Sequence, residues 1–401
     1  MALKKIKVNL LVKILIAILL GILAGQFFPI WLGRFFATFN AIFSQFLGFL
    51  IPLLIVGFVA PAIAEIGSSA GKMLVLTALL AYASTTLCGF MGFWVGDATF
   101  PQLIQPRQLD ALEKGKDLIP FFNIEMKPLM DVMSALVLAF VLGICLAYMQ
   151  GNTMKSLLNE FRDIISMTIG KVIIPLLPIY IFGIFLNMTV SGEVSTVLSA
   201  FAKIILIIFA MHVFILLFQY AIAGLVACKN PLKMLLTMLP AYFTALGTQS
   251  SAATIPVTLR QTVKMGVSEG VAGFVIPLCA TIHMSGSCMK IVACALALMI
   301  MEGHPYDAQM FAGFICMIGI SIIAAPGVPG GAIMASLGLL ASMLHFTESD
   351  QALMIALYIA MDSFGTACNV TGDGFIAVIV NKIYPTKGNT ADQEATELLE
   401  N

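Results

Sequence analysis

Residues 194–228 read VSTVLSAFAKIILIIFAMHVFILLFQYAIAGLVAC, a largely apolar stretch broken by one lysine and one histidine. About 20 mostly apolar residues are enough to cross roughly 30 Å of hydrocarbon as a helix. In hydrocarbon an unsatisfied backbone amide or carbonyl costs several kcal/mol, and a helix satisfies all of them within one segment. Comparable runs fall at about 8–30, 36–66, 70–97, 128–150 and 157–190, and again at about 267–302 and 349–384. The chain is 60% hydrophobic and 10% charged, with a mean hydropathy of +1.01. Soluble domains are about 25% charged, so this chain has too few polar side chains to clothe a water-facing surface. An all-α integral membrane protein embedded in a lipid bilayer is expected.

The formal net charge of +0 offers nothing to a nucleic-acid backbone, and no nucleic-acid partner is expected. The opening MALKKIKVNLLVKILIAILLGILAGQFF places lysines before an apolar stretch without a small-residue cleavage site. It reads as a retained first span with Lys4, Lys5 and Lys7 in the cytoplasm. The polar loop TFPQLIQPRQLDALEKGKDLIPFFNIEMKP balances four basic against four acidic residues and is expected outside. Six spans then return the chain to Lys229 and Lys233 on the cytoplasmic side, so both termini are expected there. The cysteines at 88, 145, 228, 279, 288, 294, 316 and 368 show no CxxC or Cys/His metal spacing and read as small packing residues.

After residue 229 the texture changes. TALGTQSSAATIPVTL (244–259) and SIIAAPGVPGGAIMAS (321–336) are small, polar and proline-broken, between half-length apolar pieces. Irregular backbone at membrane depth survives only where it is buried in protein or lines a cavity. Paired interrupted segments therefore mark a transporter binding site, and two kinked helices are the plain alternative. A faint internal echo links IPLLIVGFVAP (51–61) with IPLLPIYIFGI (174–184), as inverted repeats would.

The chemistry concentrates in two apolar spans. In MDSFGTACNVTGDGFIAVIV (361–380), Asp362, Thr366, Asn369 and Asp373 fall on one helical face. One charge at mid-bilayer costs about 2.5–3.5 kcal/mol even on lenient scales. Two aspartates on one stripe therefore ask for a cation or an ammonium group, the plain alternatives being a structural ion pair or the wall of a water-facing cavity. The NVTGDG stretch offers a possible end to that helix, which would expose carbonyls to a cation. In CATIHMSGSCMKIVACA (279–295), His283, Ser287 and Lys290 share a face if the helix is continuous, and Gly286 invites a local break. Lys290 lies too deep to snorkel, so it either pairs with an aspartate or handles an anion or proton.

These segments resemble the dicarboxylate/amino acid:cation symporter family, which includes the glutamate transporters. QSSAATIPVTL resembles its first hairpin tip, PLCATIHMSGS its PLGATINMDGT segment, GVPGG its second hairpin tip and DSFGTACNVTGD its last helix. The resemblance implies eight transmembrane helices plus two re-entrant helical hairpins, with inverted repeats, assembled as a homotrimer with an elevator-like transport domain. It implies six spans in 1–228, of which those at about 70–97 and 194–228 accompany the transport domain, a transport core in 229–384 and a polar cytoplasmic tail in 385–401. Asp362 corresponds to the residue that holds a substrate amine, with Thr366 and Asn369 as neighbouring contacts. Gln249, Ser250 and Ser251 correspond to the hairpin that grips the substrate carboxylate, and Gly327 and Val328 to the lid. Sodium is implied at Asp373 with the carbonyls of Cys279, His283 and Asn369. A second site is implied at the carbonyls of Thr281, Ala324 and Ala325, and part of a third at Tyr82, Thr85 and Thr86.

Three departures shape the expected substrate. Where acidic-substrate members carry arginine, this chain has Gly365. The lost charge-assisted bond is worth about 1.5–3 kcal/mol, which favours a small neutral amino acid, as in the serine/threonine branch. His283 and Ser285 replace the Asn and Asp that serve the third sodium, so two sodium ions, or one with a proton on His283, become the alternatives. Lys290 replaces an aromatic residue near the substrate. If it stands in for the missing arginine, the substrate is instead an acidic amino acid or a dicarboxylate. No nucleophile–base pair, metal cluster or phosphate loop points to an enzyme or an organic cofactor, and two gated hairpins suit a carrier better than a channel. A bacterial inner membrane is the expected location.

Overall fold

The computed structural model describes residues 10–68, 72–104, 118–192, 194–324 and 330–384, and every regular element among them is helical. Ala325, Gly327 and Val328 of the second hairpin tip lie outside the described residues, as does the 385–401 tail. Seven apolar helical stretches among the described residues are long enough to cross a membrane.

The first half comprises α1 (Leu10–Phe27), α2 (Ile30–Ser68), α3 (Lys72–Leu103), α4 (Val132–Tyr148), α5 (Thr153–Thr168), α6 (Ile174–Val190) and α7 (Val194–Ala227). A π turn at Ile169–Ile173 joins α5 and α6 into one rod. It precedes Pro175 and Pro178, which lack the amides an α-helix would use there. At 39 residues, α2 is about 58 Å long at 1.5 Å per residue. That exceeds the hydrocarbon thickness, and Pro52 and Pro61 lie inside it. Gly21 and Gly25 let α1 pack backbone-close on α6: a Cβ on Gly21 would sit 2.6 Å from the carbonyl oxygen of Phe182.

In the second half the helices are short and paired. α8 (Pro231–Thr248) and α9 (Ser251–Lys264) have 18 and 14 residues, about 27 and 21 Å, and fold back on each other. Asn230 caps α8 and Pro231 opens it. Gln249 ends it in the left-handed region at φ 54°, and Ser250 caps α9. α12 (Ala308–Ser321), capped by Asp307, and α13 (Gly331–Leu344) form the second pair. Between them α10 (Glu269–Ile282) breaks at His283 and Met284 before α11 (Ser285–Glu302). The last pair, α14 (Glu348–Ala360) and α15 (Asp362–Ile383), breaks at Met361.

Two sequence expectations change here. NVTGDG does not end a helix, because α15 runs unbroken through it; the interruption comes at Met361 instead. The break near Gly286 falls at His283 and Met284, so His283 is on neither the helix nor the face of Ser287 and Lys290.

Every residue of α11 from Ser285 to Met301 is buried. α3 packs along it on one side and α15 on another, and α7 and α8 cover the far side of α15. Apolar side chains instead face outward on α1 and α7, among them Leu19 at 62% and Leu206 at 71% exposure. That inversion is what a hydrocarbon solvent asks for. All eight cysteines are free thiols, five of them buried.

Candidate functional site

The two interrupted helices meet across α11 and α15. Gly286 sets how closely: a Cβ there would lie 2.7 Å from Cys368 Cβ and 2.9 Å from the carbonyl oxygen of Gly365. At that contact Asn369 Oδ1 accepts from the amides of Gly286 (2.8 Å) and Ser287 (3.2 Å). These are orphan donors of the α11 N-terminus, so Asn369 acts as a cap supplied by another helix. Its amide nitrogen donates to Ser287 Oγ at 2.9 Å, which also accepts from the Tyr358 hydroxyl at 3.2 Å.

Two turns toward the start of α15 from Asn369, Asp362 faces Lys290. The ammonium lies 3.5 Å from Asp362 Oδ1 and 3.4 Å from the carbonyl oxygen of Tyr358, and sits 3.4 Å from the centre of the Tyr358 ring. Asp362 Oδ2 accepts from the Gly330 amide at 2.8 Å, at the threshold of the second hairpin. Lys290 is fully buried, and it fills the space at Gly365: a Cβ there would stand 2.9 Å from Nζ and 3.3 Å from Cε. The space left by the missing side chain at position 365 is therefore occupied by the lysine.

Beside this pair lies a small cavity. Gln249 and Ser251 line it from the first hairpin, Gly331 and Ala332 from the second, and Asp362, Thr366 and Asn369 from α15. Lys290 does not line it. Ser250 points its side chain into the α9 cap, and Gln249 donates to Ser363 Oγ at 2.6 Å.

Three turns into α15, Asp373 Oδ1 meets His283 Nδ1 at 3.0 Å, and His283 Nε2 meets Ser84 Oγ at 3.0 Å. Ser84 accepts from Gln219 Nε2 at 3.1 Å. A carboxylate can only accept, so Nδ1 donates to Asp373, Nε2 accepts from Ser84, and one neutral tautomer satisfies the chain. Gln219 Oε1 is buried without a hydrogen-bond partner. A Cβ on Gly372 would meet both this oxygen (2.9 Å) and His283 Cε1 (2.7 Å), which places them side by side.

The last carbonyls of α10 add to this corner. His283 N turns back to Cys279, but Met284 N is taken by Thr85 Oγ1 at 3.2 Å, so Ala280, Thr281 and Ile282 have no following helical amide. The negative end of α10 falls at His283, whose ring meets the Asp373 carboxylate, and that carboxylate, the unpartnered Gln219 Oε1 and unpaired helix-end carbonyls are the kinds of oxygen a hard cation takes. Of the tyrosine and threonines on α3, only Thr85 reaches the break. Tyr82 donates to the carbonyl of Cys316 at 3.2 Å, and Thr86 bonds within its own helix. Sequence reasoning missed Ser84, His212, Gln219 and Tyr358. His212 and Gln219, seven apart in the apolar run 194–228, were the signal available.

Two helical hairpins, two interrupted helices and a polar cavity with buried aspartates are the arrangement in which multi-pass secondary transporters build their substrate sites. The chain belongs to the sodium:dicarboxylate symporter family, whose sequence model matches residues 10–383. It is similar to excitatory amino acid transporter 2 of Rattus norvegicus, 28% identical over 300 residues, which is 73% of this chain and 51% of that protein. It is also similar to the serine/threonine transporter SstT of Acinetobacter baumannii (strain AYE), 26% identical over 365 residues, 86% of this chain and 90% of that one. The chain spans about half the length of the excitatory amino acid transporter. The family and these relatives are transporters, not enzymes.

Proposed function

We propose that this protein is a sodium-coupled symporter that imports a small neutral amino acid. The observation that carries this is the position of Lys290: it lies behind Asp362, fully buried, and is absent from the cavity wall. The Lys290 and Asp362 charges cancel, so a zwitterion enters without adding net charge. An acidic substrate would bring a negative charge to a wall with no cation among the described residues. Asp362 uses Oδ1 toward Lys290 and Oδ2 toward Gly330, and a carboxylate offers about four lone-pair sites. Two remain for a substrate ammonium, while Gln249 and Ser251 face the substrate carboxylate.

In this reading Na⁺ is cargo. It docks at Asp373, Gln219 Oε1 and the free carbonyls of α10, and offsets a carboxylate that would otherwise be buried without a cation. His283, held as a neutral donor by Ser84, leaves the coupling charge to sodium. The second hairpin closes over the substrate, and the core 229–384, together with α3 and α7, moves against the remaining first-half helices in an elevator step, within a homotrimer of the bacterial inner membrane with both termini cytoplasmic. One net positive charge moved inward gains about 2.3 kcal/mol per 100 mV, roughly 50-fold accumulation.

A second reading rests on the long 3.4–3.5 Å contacts of Lys290, which leave the ammonium able to turn toward the cavity and hold an acidic amino acid or dicarboxylate. Thermal unfolding of the purified protein with serine, threonine, alanine, aspartate, glutamate or succinate, in Na⁺ and in choline, separates the two. Sodium-dependent stabilisation by the neutral amino acids alone is expected. Stabilisation by aspartate or succinate instead overturns the neutral assignment.

A further inference from the structure

Lys290 stops just short of the substrate cavity. Ser287, about one turn earlier on α11, lines that cavity, and so does Asp362, whose Oδ1 lies 3.5 Å from the ammonium. A lysine stem is flexible, yet Lys290 is fully buried and is absent from the cavity wall. Its oxygen partners hold it only loosely. Charge-assisted N–H···O bonds run at about 2.7–2.9 Å, whereas the ammonium stands 3.4 Å from the Tyr358 carbonyl oxygen and 3.5 Å from Asp362. Its close contact is with an aromatic face. Nζ lies 3.4 Å from the centre of the Tyr358 ring, well inside the roughly 6 Å reach of a cation–ring attraction, which is strongest where water is excluded.

The ring is itself fixed in place. Tyr358 is 1% exposed, in the last turn of α14, and its hydroxyl donates to Ser287 Oγ at 3.2 Å. Ser287 Oγ also accepts from Asn369 at 2.9 Å, so the ring is tied to the residue that caps α11. Tyr358 lines the cavity that Lys290 does not reach. A leucine would fill the same layer of the core, but it would offer the ammonium no negative face.

We infer that Tyr358 is a positioning residue: it holds the Lys290 ammonium out of the cavity and so sets the charge of the substrate that the cavity accepts. This rests on the neutral-substrate reading given above. With the ring in place, Lys290 stays behind Asp362 and serves only to balance its charge. Without the ring, the ammonium is free to turn into the cavity and meet a second substrate carboxylate. Loss of a desolvated cation–ring contact shifts the balance between the two lysine positions by roughly 30-fold.

The test uses the full chain in phosphatidylcholine nanodiscs, with Tyr358→Phe, Tyr358→Leu and trifluorophenylalanine in place of Tyr358. Trifluorophenylalanine nearly keeps the shape of phenylalanine but drains the negative charge from the ring face, so it separates the ring's field from its bulk. Reductive methylation by formaldehyde and dimethylamine borane, read by mass spectrometry, reports whether Lys290 is reachable, with exposed Lys233 as the reference. Lys290 should stay unmethylated in the unsubstituted chain and in Tyr358→Phe. It should react at least about fivefold more with trifluorophenylalanine and in Tyr358→Leu. In sodium-dependent thermal stabilisation, Tyr358→Phe should keep the preference for serine, while Tyr358→Leu should bind aspartate at least about tenfold more tightly than the unsubstituted chain does. Equal methylation of the phenylalanine and trifluorophenylalanine proteins overturns the hold, and a reactive Lys290 with no gain in aspartate affinity overturns its part in selectivity. Aspartate stabilising the unsubstituted chain while its Lys290 stays unreactive supports the hold and overturns only the neutral assignment.

Discussion

A single methyl group on Gly365 tests the central contact of the site. Its Cβ would stand 2.9 Å from Lys290 Nζ and 3.3 Å from Cε, inside a region where the lysine is fully buried. Overpacking a buried contact costs about 1–3 kcal/mol, while Gly to Ala inside a helix gains about 1 kcal/mol. Gly365→Ala should therefore change stability by about 0–2 kcal/mol in the destabilising direction. In a Lys290→Leu background the crowding atoms are gone, and the same change should stabilise by about 1 kcal/mol. The difference is a coupling of about 1–3 kcal/mol, readable from a double-mutant cycle of reversible unfolding in mixed maltoside and dodecyl sulfate micelles. If Gly365→Ala has the same effect in both backgrounds to within about 0.5 kcal/mol, the glycine is not there for the lysine. The substrate argument built on that pairing would then fall.

Asp362→Asn keeps the shape but leaves Lys290 buried without its partner. A loss of about 3–5 kcal/mol in stability is expected, with abolition of sodium-dependent serine binding by calorimetry; unchanged serine affinity would remove Asp362 from the amine site. Gly372→Ala pushes against His283 Cε1 and Gln219 Oε1 at 2.7 and 2.9 Å. At about 1–3 kcal/mol the sodium concentration for half-maximal stabilisation should rise roughly 5- to 150-fold, and an unchanged sodium titration would place the cation elsewhere.

How much of this was legible in the sequence follows from which forces act along the chain and which act across it. The shared face of Asp362, Asn369 and Asp373 is a matter of helical spacing, and all three do look toward α10 and α11. The aspartate partner of Lys290 follows from the cost of a lone buried charge. Gly365 was read instead as a missing side chain, because no local pattern announces that a lysine from another helix has taken the space. The end of α10 at His283 depends on Thr85 accepting the Met284 amide, a contact between residues 199 positions apart. Ser84 escaped notice for a similar reason: it sits in the YASTT stretch whose neighbours were chosen, and only the fold turns it toward His283.

The near contact of α11 and α15 at Gly286 has a mechanical meaning. With no side chain on Gly286 to hold the two helices apart, and Asn369 gripping two amides of α11, the ground beneath the proposed amine site and the ground beneath the proposed cation corner are one piece. If sodium docks at Asp373 as proposed, it need not send a rearrangement along a path to reach Asp362. It would change the electrostatic potential and the rigidity of a block that both proposed sites share. Coupling in such a block is a property of its charge balance, and the moving parts are left to the hairpins at its edge.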